Sequence, residues 1–479
     1  MTGRVTASSY SPRLRTAVVF SGTGTAGAYH AGVLRALHEA GVKIDLVSGC
    51  GMGVVSAMFA AIDGTSRLWD PRGLWRSPQV QRFYGWTTRL RAAGWALIVA
   101  FAAVLAPLAA LAIGLLVYPI AFASRLIGLE SGSSLADRYA RLLEHAFQPT
   151  ALPTILPRLA VLALGIVAVA LAASTLTKTW QAARRRRAHG AWWWGILGAP
   201  LSAEGVIQHF QQGLWHLIRG ATGKRVPTLL DVSRRYAELL TENLGQPGFR
   251  ELLVTAHDLD GRRDLVFAML GSQYRREFFL RHDGGGDRRP ADALDLAGDG
   301  REHTMAAMTG ALTLPAVTEP QYVTFAPDGY WRGETHRLSD RPGALLRLLD
   351  ELSAAGVEQV VIVSAATEVA GAHGLTPARE DGRGRLGEYL AAAEVAVRRD
   401  AMAASAGRFT SVFQIHPVHN ALGPFDFSGW YDERSDRRQT LTELIDMGHE
   451  DAYRQFIEPI IGASGERIAP AAARRVRRS

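Results

Sequence analysis

Five residues, Gly49-Cys50-Gly51-Met52-Gly53, have the spacing of a nucleophile turn. An apolar run at 44–47 leads into them, and a helical stretch at 54–61 leads out. Such a turn lifts its central residue above the end of a sheet, where a serine attacks esters. The central residue here is Gly51, which has no side chain to attack with. A second glycine-rich stretch runs Ser21-Gly22-Thr23-Gly24-Thr25-Ala26-Gly27-Ala28-Tyr29. It follows the apolar run 17–20 and opens a helix with Val33, Leu34 and Leu37 on one face. Gly41 closes that helix, where a left-handed residue is cheapest.

Neighbouring groups are weaker candidates for chemistry. Cys50 lies one residue before the apex, where the turn points its side chain elsewhere, so it reads as a small buried residue. Ser48 and Ser56 are also off the apex. His30, on the helix, reads as a packing residue. No G-x-S-x-G occurs in the chain. Gly22, Gly24 and Gly27 have the spacing G-x-G-x-x-G, with Asp45 near the distance of a ribose-binding acid. Nucleotide binding is therefore one alternative.

The two glycine stretches together resemble the patatin-like phospholipases, lipid acyl hydrolases that use a Ser–Asp dyad. In that family the first loop, typically G-G-G-x-R/K-G, supplies the oxyanion hole. The resemblance places Gly22, Thr23, Gly24 and Gly27 in this loop, with Thr23 in place of a glycine and Ala26 in place of the basic residue. It places Gly49, Cys50, Gly51, Met52 and Gly53 in the elbow, with Gly51 at the nucleophile. The stretch 304–315 resembles the family's helix and proline turn near the acid. The acid is expected soon afterwards in a Y-V-D-G-G/A pattern. Tyr330-Trp331-Arg332-Gly333-Glu334 is the best match and puts Arg332 at the acid position; Asp328 is the fallback. The resemblance covers 17–65 strongly and 245–460 loosely. It implies an α/β, three-layer fold with a mostly parallel central sheet.

The elements that must hold these turns are interrupted. Residues 92–124 carry no charge over 33 positions, and 159–177 carry none over 19. About 20 apolar residues cross a bilayer, so the sequence predicts a two-helix transmembrane hairpin with spans at 95–118 and 159–177. Arg82, Arg89 and Arg91 precede the first run; Lys178, Arg184, Arg185, Arg186 and Arg187 follow the second, with Trp192, Trp193 and Trp194 just beyond. Basic residues favour the cytoplasmic side and tryptophans the interface. Both flanks are thus expected to be cytoplasmic, and the loop at 125–158 to face the other side. The expected organisation is a tail at 1–14, a first patatin-like part at 15–90, the hairpin at 91–180, a basic and tryptophan-rich segment at 181–200, the second part at 201–462 and a basic tail at 463–479.

Composition bounds the rest. The chain has 479 residues, a net charge of +8, and arginine as nearly all of its basic residues. No nucleic-acid reading motif accompanies that charge, so lipid is the expected partner, a protein partner is a further option, and the oligomeric state is open. Cys50 is the single cysteine, which excludes an intramolecular disulfide and a cysteine-built metal site. No metal or cofactor is expected, and the N-terminus lacks the apolar core of a signal peptide. The leading expectation is a catalytically silent patatin-like protein on the cytoplasmic membrane face. The alternatives are an active lipid acyl hydrolase with a shifted dyad and a nucleotide-binding membrane protein.

Overall fold

The computed structural model describes residues 10–128, 131–146, 158–169, 172–173, 198–220, 227–280, 291–327, 331–368, 379–418, 422–432 and 436–462. In chain order the elements are β1 (Thr16–Ser21), α1 (Ala26–Glu39), β2 (Leu46–Gly49), α2 (Gly53–Ala61), α3 (Ser66–Trp69), α4 (Thr88–Leu126) and α5 (Ser131–Ala146). Helix α6 (Arg158–Val169) follows. Then come α7 (Glu204–Ile218), α8 (Leu229–Asn243), β3 (Glu251–Asp258), β4 (Arg263–Met269), α9 (Ser272–Leu280), β5 (Ala291–Asp295) and α10 (Thr304–Ala311). The chain continues with β6 (Gln321–Thr324), β7 (Thr335–Ser339), α11 (Ala344–Ala354), β8 (Gln359–Ser364), α12 (Gly382–Ala404), β9 (Ser411–Ile415), β10 (Trp430–Asp432), β11 (Arg437–Gln439) and α13 (Leu441–Ala452). They form two compact units, Trp86–Leu201 and the remainder.

The larger unit is α/β. Nine strands make one sheet whose main path runs β5-β4-β3-β2-β1-β8-β9, with β7 on β3 and β6 on β7. Pairing is parallel along β3-β2-β1-β8-β9 and at β4-β5, and antiparallel at β3-β4, β3-β7 and β6-β7. The sequences explain which strands are central. TAVVFS and QVVIVS are continuous β-branched and aromatic runs, and every residue of β1 and β8 is buried. Such strands have helices on both faces. Ala17, Val19, Val360 and Ile362 pack with Phe278 of α9, Leu345, Leu348 and Leu352 of α11 and Ala401 of α12. On the other face Phe20 meets His30 of α1, with ring centroids 5.2 Å apart. The sheet joins residues on both sides of the interruption: Leu46–Gly49 pair in register with Glu251–Val254.

The smaller unit departs from the expected hairpin. Among the described residues one helix is long and apolar enough to cross a membrane. It is α4, whose stretch Leu108–Leu126 has a mean hydropathy of 1.8. The second expected span, 159–177, is represented by the shorter α6, and 174–177 lie outside the described residues. Two described helices of spanning length are therefore not present. The expected loop at 125–158 is also corrected: much of it is α5, an amphipathic helix that folds back on α4. Its apolar and polar residues recur at helical spacing, and Gly114 on α4 leaves the space that Tyr139 fills. The Tyr139 hydroxyl donates to the Ala110 carbonyl, and its ring lies edge-on to Tyr118 at 5.8 Å.

Candidate functional site

Strands β1 and β2 lie side by side with Phe20 opposite Gly49, so the two glycine turns leave the same edge of the sheet. Three glycines of the elbow are dictated by space. A Cβ on Gly49 would lie 2.3 Å from the Gly53 carbonyl oxygen, and one on Gly53 would lie 2.0 Å from that of Phe20. Gly51 has φ +57°, in the left-handed region that costs an ordinary residue about 1–2 kcal/mol. The turn is a strand-to-helix elbow with Gly51 at its apex, facing the Gly22 loop.

The side chain facing Gly51 is Asp340. A Cβ on Gly51 would lie 3.1 Å from Asp340 Oδ2. The backbone N–H groups of Gly51 and Arg341 donate to this carboxylate. Asp340 follows directly on β7, and its own N–H donates to the Thr313 carbonyl at 2.8 Å. The proline turn after α10 therefore holds the acid in place. Next to it, Arg341 grips Asp264 through two hydrogen bonds, at 2.9 and 2.7 Å, and Asp264 also pairs with His257 Nδ1 at 2.8 Å. Burial lifts the Asp340 pKa to about 7, the Glu394 charge adding to the rise and the two N–H donors and Arg341 opposing it.

Glu394, on α12, is a second carboxylate at this edge. It accepts hydrogen bonds from Ser364 Oγ at 2.6 Å and Ser21 Oγ at 3.2 Å, the last residues of β8 and β1. Burial raises its pKa as well. Both acids line a small cleft of about 50 Å³ with Ser21, Gly22, Cys50 and Gly51, walled by Leu314, Leu345 and Leu390. That volume is room for a few waters.

One donor that a developing oxyanion would use is engaged. In an elbow the N–H following the apex is one such donor. Here it is that of Met52, and it donates to the Gly22 carbonyl at 2.8 Å. The same carbonyl oxygen would lie 2.6 Å from a Cβ on Gly51. The glycine loop is covered in turn by Leu422–Phe427: Thr25 N donates to the Pro424 carbonyl at 3.0 Å and Thr25 Oγ1 to that of Gly423 at 2.9 Å. A Cβ on Gly24 would lie 1.8 Å from the Pro424 oxygen.

The other sequence candidates have structural partners. Ser48 Oγ donates to the Leu253 carbonyl at 2.7 Å. His30 bridges Ser56 Oγ, at 3.2 Å, and the Ser21 carbonyl, at 3.0 Å, and burial lowers its pKa to about 3, so the ring is neutral. The Cys50 thiol is buried and pushed well above its ordinary pKa, first by desolvation and then by Asp340 and Glu394, which opposes thiolate formation. Asp45 accepts from the Thr16 N–H at 2.9 Å, where β1 begins. It sits at the opposite end of the strands from the glycine loop, so it does not serve that loop as a ribose acid.

One assignment is corrected. Arg332 does not face Gly51. It lies exposed in the turn between β6 and β7, at φ +44°, next to Trp331, which packs on His336. The carboxylate that faces Gly51 is that of Asp340, at the far end of β7. The misreading came from a local likeness: Tyr330-Trp331-Arg332-Gly333 imitates the motif's aromatic and glycine, whereas Asp340 is followed by Arg341-Pro342-Gly343. The available signal was the alternation along Thr335–Ser339, which marks a strand ending in an acid. Asp328 lies outside the described residues, as do Arg184, Arg185, Arg186, Arg187, Trp192, Trp193 and Trp194.

Comparisons with known proteins bear on this geometry. No curated protein matches the chain. Among solved structures, VipD from Legionella pneumophila is similar over 93% of this chain and 67% of its own, at 13% identity and a TM-score of 0.30, too distant to bear on function. The family model of the patatin-like phospholipases matches residues 18–252, across both glycine turns, and marks a patatin-like phospholipase domain over that stretch.

Proposed function

We propose that this protein is a catalytically silent patatin-like protein, held at the cytoplasmic face of a membrane, that binds lipid or a protein partner without hydrolysing it. The observation that carries the reading is Gly51 at the elbow apex, where no side chain can form an acyl-enzyme. The contact between the Met52 N–H and the Gly22 carbonyl supports it, because an oxyanion would have to displace that carbonyl. The family's chemistry supports a lipid-related role.

Membrane attachment rests on α4, whose apolar side chains are exposed along its length, including Leu97, Phe101, Leu111, Leu116 and Phe122. A helix that is apolar all round suits hydrocarbon. Because β2 and β3 pair in one sheet, the intervening chain must cross an even number of times. A return through 159–177 satisfies that condition and leaves both termini cytoplasmic, in keeping with the arginines outside the runs. An impermeant thiol reagent, applied to intact cells expressing a single-cysteine variant at Leu142, tests the sidedness: labelling supports this orientation, and protection there with labelling at a terminus reverses it.

The retained Asp340 favours a second reading, in which its carboxylate activates water directly and hydrolysis proceeds without an acyl-enzyme. Hydrolysis of a phospholipid or a p-nitrophenyl ester by the purified protein, abolished by Asp340→Asn, would establish that reading and remove the first.

A further inference from the structure

Residues 92–124 would form a helix about 50 Å long, against a hydrocarbon thickness of about 30 Å. Not all of this run fits inside a bilayer, and hydropathy alone does not say which part does. The neighbours of α4 do. Its second half is accompanied by α5: Ala110, Leu111, Gly114, Leu115 and Tyr118 line one groove with Tyr139 and Leu143. Asp137, Arg138, Arg141 and Glu144 flank those two residues on α5 and are exposed. They therefore stand alongside Ala110 to Tyr118. A crossing at Leu108–Leu126 would carry four charged groups into hydrocarbon, which charged side chains avoid unless they line a protein interior or an aqueous cavity.

The first half of α4 has a different companion. Ala92, Ala93, Trp95, Ala96 and Val99 line a groove with Ala163, Ile166 and Val167 of α6, a helix without charge after Arg158. From Ala92 to Leu108 there are 17 residues, about 25 Å of helix, within the range of membrane spans. Trp95 stands near one end beside Arg89 and Arg91. Tyr118 and Tyr139 stand beyond the other. Pro107, at the junction, has no N–H for the helix ladder, so a bend there is cheap.

We propose that the membrane-crossing part of this unit is the first half of α4, from Ala92 to about Leu108, packed against α6, and that the second half of α4 and α5 form an amphipathic hairpin in the opposite headgroup region. In that hairpin the bare α4 face of Leu116, Ile120 and Phe122 meets the lipid, and the α5 charges meet water. The crossing is thus shorter and earlier in the chain than hydropathy suggests. This inference rests on the membrane reading above, and the test separates the two.

The test uses the full chain in a Cys50→Ala background, with single cysteines at Phe101, Leu116 and Leu142, side chains that are 66%, 66% and 67% exposed. Each is labelled with an environment-sensitive fluorophore and reconstituted in vesicles of phosphatidylcholine and phosphatidylglycerol. Depth is read with lipids carrying a quencher at mid-chain or at the headgroup, and with aqueous iodide. The expected result is that position 101 is quenched most by the mid-chain probe, 116 by the headgroup probe, and 142 by iodide. Position 116 quenched from mid-chain as strongly as 101 would overturn the assignment while leaving membrane attachment intact. Failure of the protein to float with the vesicles, whether monomeric or self-associated through this surface, would remove the membrane reading and the inference with it.

Discussion

The two turns that a serine–aspartate hydrolase would bring together have fared differently here. At the elbow the frame is present with glycine at its apex. At the end of β7 the reactive group remains in altered surroundings. The glycines of the elbow answer to packing: with the Phe20 carbonyl 2.0 Å from where a Gly53 Cβ would sit, no other residue fits, whether or not the turn catalyses anything. Retention of the frame is therefore not a sign of activity. Asp340 is the converse. A carboxylate pushed up to about 7 is unfavourable to bury, and the position is stabilised by the N–H groups of Gly51 and Arg341. In a molecule without the serine, the acid still pins the apex of the elbow.

The comparison can be broken most forcefully at the frame. Gly53→Ala drives a methyl group into backbone, and the expected loss is about 3 kcal/mol or more, seen as a fall in the urea midpoint or as insolubility. A neutral result would mean that the elbow's glycines are not set by packing. Gly51→Ser comes next. It places a side chain at φ +57° and against the Gly22 carbonyl, and should cost about 2 kcal/mol. It should not restore ester hydrolysis even with Asp340 in reach, because the Met52 N–H remains engaged. Activity in this single variant would show that the oxyanion donors are free to reorganise.

Asp340→Asn sharpens the other side. Asp340 titrates near 7 when folded and near 4 when unfolded, so the folded state holds the extra proton between these values. Its contribution is fully present below pH 4 and is lost as pH rises to 7, at a limiting slope of about 1.4 kcal/mol per pH unit. His30 acts in the opposite sense: with a folded pKa of about 3, its contribution is present above about pH 6.5 and is lost as pH falls. The two nearly cancel in the parent protein between pH 4 and 6.5. The variant should therefore gain stability relative to the parent from pH 4 to 7 and hold a constant difference above, in urea melts at stepped pH. A difference independent of pH would mean that Asp340 is ionised throughout. The smallest effect is expected at Arg332→Ala, within about 0.5 kcal/mol, because the residue is exposed at a hairpin tip. A large loss there would reopen the register of the β6–β7 hairpin.

These contrasts explain what the sequence made legible. The elbow and the glycine loop are local: every residue that shapes them lies within a few positions, so Gly49, Gly51 and Gly53 could be placed from spacing alone. The buried strands β1 and β8 were legible from continuous apolar runs. The acid was not, since its place depends on how far β7 runs after the turn at Arg332, and that register is set by pairing with β3 and β6. Glu394 comes from α12, more than 300 residues from Ser21 in the chain, and no local pattern connects them. α5 was missed for another reason. Its charged face suggested a loop between spans, while Leu135, Tyr139 and Leu142 already had helical spacing.

The central claim is that the elbow at Gly51 no longer supports acyl transfer. Its most direct test is to incubate the purified full-length protein with mixed micelles of phosphatidylcholine and phosphatidylglycerol, and with a serine-directed fluorophosphonate in parallel, following fatty-acid release and covalent labelling by mass spectrometry. The account predicts no release above a heat-denatured control and no adduct. Sustained release that survives Cys50→Ala, with an adduct at Ser48 or Ser56 or with loss of rate in Asp340→Asn, would contradict it.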